Sequence, residues 1–198
     1  MQKEEIKLQV VENPSKEEGP ILLLAGPGTG KTHQLALRIK HLVEEKSISP
    51  DSITVITFTK EAAENMRKRI SDEEKKEVYV PLEKRPGHIT TMHSFGLEII
   101  RTCKEKVGLP EDFQVLTDIN LRSILFKDAA LLCGYDEKIA EKVNICRQKN
   151  ILIESGSSEE KVLNKYEEIL RINNSIDYDD QILLAVKILS NNEEVRKT

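Results

Sequence analysis

A glycine-rich segment near the start of the chain has residue types and spacing that suit a nucleotide polyphosphate. It reads AGPGTGKT from Ala25 to Thr32. Glycines let the backbone curl until successive N–H groups point at phosphate oxygens, and a helix beginning near Lys31 adds its positive dipole end. Lys31 would reach the β- and γ-phosphates, and the Thr32 hydroxyl would ligate Mg²⁺. The segment therefore predicts a P-loop that binds ATP and Mg²⁺, with Lys31 and Thr32 as its catalytic residues. The predicted nucleotide contacts are Ala25, Gly26, Pro27, Gly28, Thr29, Gly30, Lys31, Thr32 and His33.

The segments around this loop alternate between strand-like and helix-like patterns. Apolar runs that predict strands are ILLLA (21–25), ITVITF (53–58) and HITTM (88–92). Residues 32–45 and 61–70 have helical periodicity between them. This βαβαβ order predicts an α/β fold with a parallel sheet.

From His93 to Asn174 helical patterns dominate, and FQVL is the one brief strand-like run. Helix starts are indicated at Asp118, at the capping box from Ser157 to Glu160, and at Asp177. This stretch predicts an all-helical insertion. The charged segment SDEEKKEVYVPLEKRPG (71–87) is interpreted as a solvated loop between the two regions.

Net charge, cysteine spacing and the length of the apolar runs indicate the general class of protein but do not identify a binding partner. The formal net charge of the 198 residues is -4, so a nucleic-acid surface would have to be a local patch. The three cysteines have no CxxC spacing, which suits reduced thiols. The chain has no apolar run of the roughly 18 residues that a membrane span needs. We therefore expect a cytoplasmic protein with no membrane partner.

Three segments resemble motifs I, Ia and Ib of the UvrD/Rep-like superfamily 1 DNA helicases. They are GPGTGKT, TVITFTKEAAENMRKRI (54–70) and ITTMHSFGLEII (89–100). IDYDDQILLAVKIL (176–189) resembles the segment where that family's chain returns from its helical insertion. The resemblance implies a RecA-like P-loop NTPase domain over residues 1–100, an inserted helical subdomain over 101–175, and a return segment over 176–198.

The resemblance also implies a function and a DNA surface. It indicates the N-terminal ATP-binding part of an ATP-dependent 3′-to-5′ DNA helicase of repair or recombination, and it assigns Phe58, Thr59, Thr91 and His93 to single-stranded DNA. An aromatic ring can stack on a base, and hydroxyl or imidazole groups can contact phosphates. From the residues alone, Phe58 is equally interpreted as a core residue at a strand end. The basic cluster of Lys60 and Arg67 to Arg69 is equally interpreted as a solvated helix face.

Two positions depart from the family pattern. The glutamine that reads adenine there lies in an LNPEQ-like segment, which this chain lacks. Gln9 is nearly at the right distance, but an alignment through VVENP puts Lys7 at that place. The residue after the P-loop threonine, commonly arginine in the family, is His33. Selectivity for adenine over other purines therefore stays open.

An acidic strand that would hold magnesium is not evident in the sequence. Asp179-Asp180 is the nearest acidic pair, and it is interpreted as the negatively charged start of a helix rather than the end of a strand. We therefore expect the chain to be a fragment that turns over essentially no ATP by itself. The alternative function is a non-translocating ATP-binding switch or an AAA+-type adaptor ATPase, which GPGTGKT alone would suit. The helicase is preferred because EEKKEVYVPLEKRPGHITTMHSFG stands where an AAA+ protein has its acidic strand.

Overall fold

The computed structural model describes residues 14–24, 26, 28–149 and 151–197 of the chain. These residues form a mixed α/β arrangement of short parallel strand pairs and several helices. In chain order the elements are α1 Lys31–Glu44, β1 Thr54–Thr57, α2 Lys60–Ser71, β2 His88–Thr91, α3 Met92–Thr102, β3 Gln114–Leu116, α4 Ile119–Leu132, α5 Glu137–Gln148, α6 Ser158–Ile172, β4 Ser175–Asp177, α7 Asp180–Asn191 and α8 Glu193–Lys197. The chain divides into two compact units, an N-terminal unit (1–91) and a C-terminal unit (92–198).

The N-terminal unit is built on the parallel pairing of β1 with β2. The register runs from Thr54 opposite His88 to Thr57 opposite Thr91, so both strands end at the same edge. Apolar residues of α1 and α2 pack with the strands in one core, which includes Ile39, Met66 and Ile89. The loop that follows β1 therefore starts beside the end of β2, as parallel pairing requires.

The first predicted strand is not formed. Residues 21–24 are irregular, and Leu22 and Leu24 are 70% and 66% exposed. Ala25, the last residue of that predicted strand, lies outside the described residues. An apolar run becomes a strand only where a neighbour supplies hydrogen-bond partners, and β1 and β2 pair only with each other in the described part of this unit. The prediction of a βαβαβ order was therefore wrong at its first strand.

The charged connector between α2 and β2 is not simply a solvated loop. Val78 and Val80 in it are buried in the core of the N-terminal unit. The Val80 N–H donates to the Ile70 carbonyl at the end of α2 (2.8 Å), and the Arg85 Nε donates to the Val80 carbonyl (2.8 Å). The connector can pack against the core despite its many charged residues, because the two valines of VYV bury their side chains while the charged neighbours stay in water.

The C-terminal unit is mainly helical, as the sequence predicts. Two of the predicted helix starts are confirmed by their caps: the Asp118 side chain accepts the N–H groups of Asn120 and Leu121, and the Ser157 hydroxyl accepts that of Glu160. The brief strand predicted at FQVL is β3. It pairs in parallel with β4, which the sequence did not predict. No helix in the described ranges is long and apolar enough to cross a membrane.

Helices α3 and α7 approach each other closely at Gly96. A Cβ atom added to Gly96 would lie 2.2 Å from the backbone carbonyl oxygen of Gln181 and 3.4 Å from the Cβ of Ala185. Carbonyl oxygens inside a helix cannot move aside as a flexible side chain can. Gly96 is therefore required by packing, and its small size sets the distance between the two helices.

We expect Gly96→Ala to destabilise the C-terminal unit by about 1–3 kcal/mol, because the added methyl group must push α3 and α7 apart. Urea unfolding followed by circular dichroism measures this loss. Gly87→Ala is the matched control, since a Cβ at Gly87 meets no atom within 4 Å. Equal stabilities of the two variants would show that α3 and α7 can separate without cost.

Candidate functional site

The glycine-rich loop leads directly into α1. Gly28 and Gly30 have φ angles of 74° and 87°, in the left-handed region that glycine adopts without strain. Helix α1 begins at Lys31, immediately after Gly30. Ala25 and Pro27, two of the predicted nucleotide contacts, lie outside the described residues, as do Gln9 and Lys7. The described part of the loop thus has the left-handed glycines that a phosphate-binding turn uses.

The loop holds itself together through the Gly26 carbonyl. This oxygen accepts a hydrogen bond from the Thr29 hydroxyl (2.8 Å) and another from the Lys31 ammonium group. Lys31 is therefore turned back over the loop instead of extending along α1. Helix α1 has no acidic residue in its first turn and no side-chain cap, so no carboxylate of its own first turn competes with an incoming phosphate.

Thr32, the predicted magnesium ligand, lines a groove of about 410 Å³ beside α2. Lys68 and Arg69, two members of the basic cluster, line the same groove. His33 follows Thr32 in the sequence, and its Nε2 is 3.5 Å from a Glu77 carboxylate oxygen. The structure therefore places part of the basic cluster near Thr32, and its positive charge would attract an anionic ligand in this groove. No group of three or more His, Cys, Asp or Glu side chains that could hold a metal ion occurs within the described ranges.

Three of the predicted DNA contacts lie in the N-terminal unit, where β1 and β2 end. Phe58 follows β1 and its side chain is fully exposed, so the alternative interpretation as a core residue does not hold here. The Thr59 hydroxyl accepts the Ala62 N–H (3.0 Å) and so caps α2. Thr91 ends β2 opposite Thr57 but is only 8% exposed, which leaves little of its surface for a ligand. The paired strand ends thus bring Phe58, Thr59 and Thr91 to one edge.

His93 lies in the first turn of α3, in the C-terminal unit, and packs against a ring that sequence reasoning missed. Its imidazole stacks on the ring of Tyr178, with 4.0 Å between centroids and 20° between planes. Tyr178 lies between β4 and α7 and is about half exposed. The signal for it was an aromatic residue within the acidic run IDYDD, which was interpreted only as a helix start.

The acidic residues on either side of Tyr178 have partners that the sequence did not indicate. Asp179 and Asp180 do open α7, as predicted, but their carboxylates pair with Arg122 and Arg147 instead of facing solvent. Asp177 is fully buried at the end of β4 and accepts the Tyr166 hydroxyl (2.8 Å). Strand β4 therefore ends at Asp177 and α7 begins at Asp180, so the interpretation of the acidic pair as a helix start is confirmed, whereas the helix start predicted at Asp177 was wrong by three residues.

The two buried carboxyl groups have opposite pKa shifts. Burial raises the pKa of Asp180 to about 6, although the Arg147 guanidinium acts in the opposite direction. Burial also acts to raise the pKa of Asp177, but the charge of Arg147 and the hydrogen bonds from the Asp180 N–H and the Tyr166 hydroxyl outweigh it and lower that pKa. Arg147 is shared by Asp177, Asp180 and Glu167, and the negative charges of Asp177 and Glu167 add to the burial that raises the pKa of Asp180.

A glycine-rich loop that opens a helix beside parallel strands is the arrangement typical of P-loop nucleotide-binding proteins. Comparison with known proteins gives the family: the family model of the UvrD/REP helicase N-terminal domain matches residues 4–198. This chain belongs to that family.

Curated relatives agree with the family. The chain is 30% identical over 186 residues to the ATP-dependent DNA helicase PcrA of Staphylococcus epidermidis, covering 86% of this chain and 25% of that protein. It is 28% identical over 193 residues to the ATP-dependent DNA helicase PcrA of Staphylococcus aureus, covering 90% of this chain and 26% of that protein. The chain thus spans about a quarter of the length of the curated relatives it matches.

We expect Lys31→Ala to weaken binding of Mg²⁺-ATP by about 2 kcal/mol, or roughly 30-fold, because a charge-assisted contact to phosphate is lost. Isothermal titration calorimetry measures the affinity. Lys84→Ala, which removes an exposed lysine from the same unit, is the control and should bind as the parent does. If Lys31→Ala binds Mg²⁺-ATP with the affinity of the parent protein, the loop is not the nucleotide-binding site.

A second expectation concerns pH and Asp180. Its folded-state pKa of about 6 exceeds the usual unfolded value of about 3.9, so its contribution to stability is full below pH 4 and declines as pH rises to 6. The groups facing it are Arg147, Asp177 and Glu167. In Asp180→Asn this dependence disappears, so the parent-minus-variant free energy of unfolding should fall between pH 4 and 6.

Urea unfolding at pH 4, 5, 6 and 7 measures this difference. Asp128→Asn, at an exposed position on α4, is the control and should show no such trend. A parent-minus-variant difference that rises across this range would show that Asp180 stays ionised in the folded protein.

Proposed function

We propose that this chain is the N-terminal, ATP-binding part of an ATP-dependent 3′-to-5′ DNA helicase that acts in DNA repair or recombination. The observation that carries the proposal is the loop before α1, where two left-handed glycines precede the helix and Lys31 is turned over the loop. Membership in the UvrD/REP family and the similarity to helicases named PcrA support the same conclusion.

In this proposal the loop from Ala25 to Thr32 binds the triphosphate of ATP. Backbone N–H groups and the N-terminal end of α1 face the phosphate oxygens, and Lys31 exchanges the Gly26 carbonyl for a phosphate. The Thr32 hydroxyl would be one ligand of the magnesium ion bound with ATP, and that ion would supply positive charge beside the phosphate groups. His33, beside a Glu77 carboxylate, lies at the border of the nucleotide site.

We also propose a RecA-like motor fold for the longer protein. Residues 1–100 would be the first part of that domain, 101–175 a helical insertion, and 176–198 the segment that returns to it. The parallel β1–β2 pair supports the first assignment, and the helices α4 to α6 support the second.

Single-stranded DNA is the proposed polymer substrate. Phe58 is fully exposed at a strand end and has no packing role among the described residues. A nucleic-acid base provides a flat surface on which its ring can stack. Thr59 has a hydroxyl at the same edge that can donate to a phosphate while it still caps α2. His93 belongs to the proposed contact set, and the stacked Tyr178 limits the positions that its ring can take. Thr91 also belongs to the set, but only the 8% of it that is exposed is available for such a contact.

The direct test is ATP turnover by the full-length protein with and without single-stranded DNA. We propose DNA-stimulated hydrolysis that Lys31→Ala abolishes and strand unwinding that needs both ATP and Mg²⁺. ATP binding without any DNA-stimulated turnover would instead favour the non-translocating switch.

Within the full-length protein, we expect Phe58→Ala to weaken single-strand binding about tenfold and to lower DNA-stimulated ATPase activity, because stacking on one base contributes about 1–3 kcal/mol. Binding of ATP should stay within about twofold of the parent, since the ring and the P-loop belong to different loops. Fluorescence anisotropy with a labelled oligothymidylate measures DNA affinity.

Leu82→Ala, which removes another exposed apolar side chain from the same unit, is the control. If Phe58→Ala unwinds DNA at the rate of the parent protein, Phe58 is not part of the DNA-binding surface. An equal loss in Leu82→Ala would show a general effect of apolar surface.

A further inference from the structure

Five charged residues of the C-terminal unit form a buried ion cluster. They come from α4, α5, β4 and the start of α7: Arg122, Arg147, Asp177, Asp179 and Asp180. The two arginine side chains are 9% and 5% exposed, and Asp177 is fully buried. Neither the P-loop nor the predicted DNA contacts include any of these residues.

The aspartates close a turn around Tyr178. The Asp177 N–H donates to the Asp180 carboxylate (2.9 Å), and the Asp180 N–H donates to the Asp177 carboxylate (2.8 Å). This reciprocal pair leaves the backbone between the two residues little freedom. Because Tyr178 lies inside the turn, the direction in which its ring leaves the backbone is set by the two carboxylates.

The arginines hold the same turn from the helices. Arg122 donates to the Asp179 carboxylate and to the Asn144 amide oxygen (2.8 Å). Arg147 donates to the Asp180 carboxylate and to Glu167 (3.2 Å). The Nε atoms of both arginines lie 3.4 Å from the same Asp177 oxygen. Every carboxylate of the turn is therefore in contact with at least one guanidinium group.

The guanidinium groups are in turn held by a pair of rings. Phe126 and Tyr166 stack with 3.7 Å between centroids, and each ring carries an arginine at 5.7 Å: Arg122 over Phe126 and Arg147 over Tyr166. The cationic carbons thus lie over aromatic faces, where the interaction is attractive. The core of α4 and α6 therefore fixes the arginines, and the arginines fix the turn.

Stability alone does not account for such a cluster. Replacing a buried ion network with apolar residues of similar volume is often neutral or stabilising, because the cost of desolvating the charges is large. Planar guanidinium groups that contact several carboxylates at once restrict geometry more than apolar contacts do. Here the restricted element is the turn that carries Tyr178, whose ring stacks on His93.

We propose that Arg122 and Arg147 are positioning residues that hold the Asp177–Asp180 turn so that Tyr178 keeps the His93 imidazole in the orientation that binds single-stranded DNA. The proposal rests on the proposed function in one respect, the contact of His93 with DNA. The arginines act through the turn and need no contact with DNA.

The test uses Arg122→Lys, which keeps the positive charge but loses the planar fork. Arg101→Lys, at an exposed position of α3, is the matched control. In the full-length protein we expect Arg122→Lys to weaken oligothymidylate binding about fivefold, within the range of coupling for residues in one network. ATP affinity should stay within about twofold, and Arg101→Lys should bind as the parent does.

A double-mutant cycle with Tyr178→Ala separates positioning from a general loss of stability. If Arg122 acts through the turn, Arg122→Lys should weaken DNA binding no further once Tyr178 is absent. Equal weakening in both backgrounds, or none in either, would overturn the proposal. If Arg122→Lys does not fold, Asp179→Asn takes its place in the cycle. This variant removes only the more exposed partner of Arg122, and the same results are expected.

A spectroscopic measurement tests the positioning without DNA. The Tyr178 ring current should shift the His93 ring-proton resonances upfield, and Arg122→Lys should move them toward their unstacked values. Unmoved resonances would overturn the proposal. If the resonances move but His93→Ala binds DNA normally, the positioning stands and the proposed contact of His93 with DNA is wrong.

Discussion

The arrangement of the C-terminal unit depends on one fully buried carboxylate, that of Asp177. It accepts hydrogen bonds from the Tyr166 hydroxyl and the Asp180 N–H, and both arginines of the cluster lie within 3.4 Å of it. A buried charge is tolerated only when it is paired and hydrogen-bonded. Helices α4 to α7 must therefore keep the positions that satisfy it, and the stack of Tyr178 on His93 follows from the same constraint.

The N-terminal unit depends on a different constraint, the parallel pairing of β1 with β2. Because parallel strands end at the same edge, the loop with Phe58 and the end of β2 at Thr91 start from neighbouring positions. Phe58 and Thr91 differ in solvent exposure, since Phe58 is available to a ligand and Thr91 is mostly buried. The glycine loop before α1 needs no pairing, because its shape comes from local backbone turns.

Sequence patterns predicted local features well and failed where distant segments meet. The helices after the P-loop and β1 were predicted, as were the caps at Asp118 and Ser157, because their signals lie within a few residues. The strand predicted at residues 21–25 and the solvated connector were wrong, because strand pairing and the burial of Val78 and Val80 depend on partners elsewhere in the chain. The acidic pair after Tyr178 was placed correctly at a helix start, but its arginine partners lie more than thirty residues away.

The sequence by itself determined the left-handed turns of the glycine-rich loop, its predicted role as a P-loop, the family resemblance and the alternation of helices with short strands. These properties are local, because glycine conformation, helix periodicity and caps depend on neighbouring residues. Only the tertiary structure decided that Tyr178 stacks on His93 and that Gly96 must lack a side chain. It also decided that two buried arginines hold the turn between β4 and α7. Those features need side chains from separate helices within a few ångströms of each other, and no short segment carries that information.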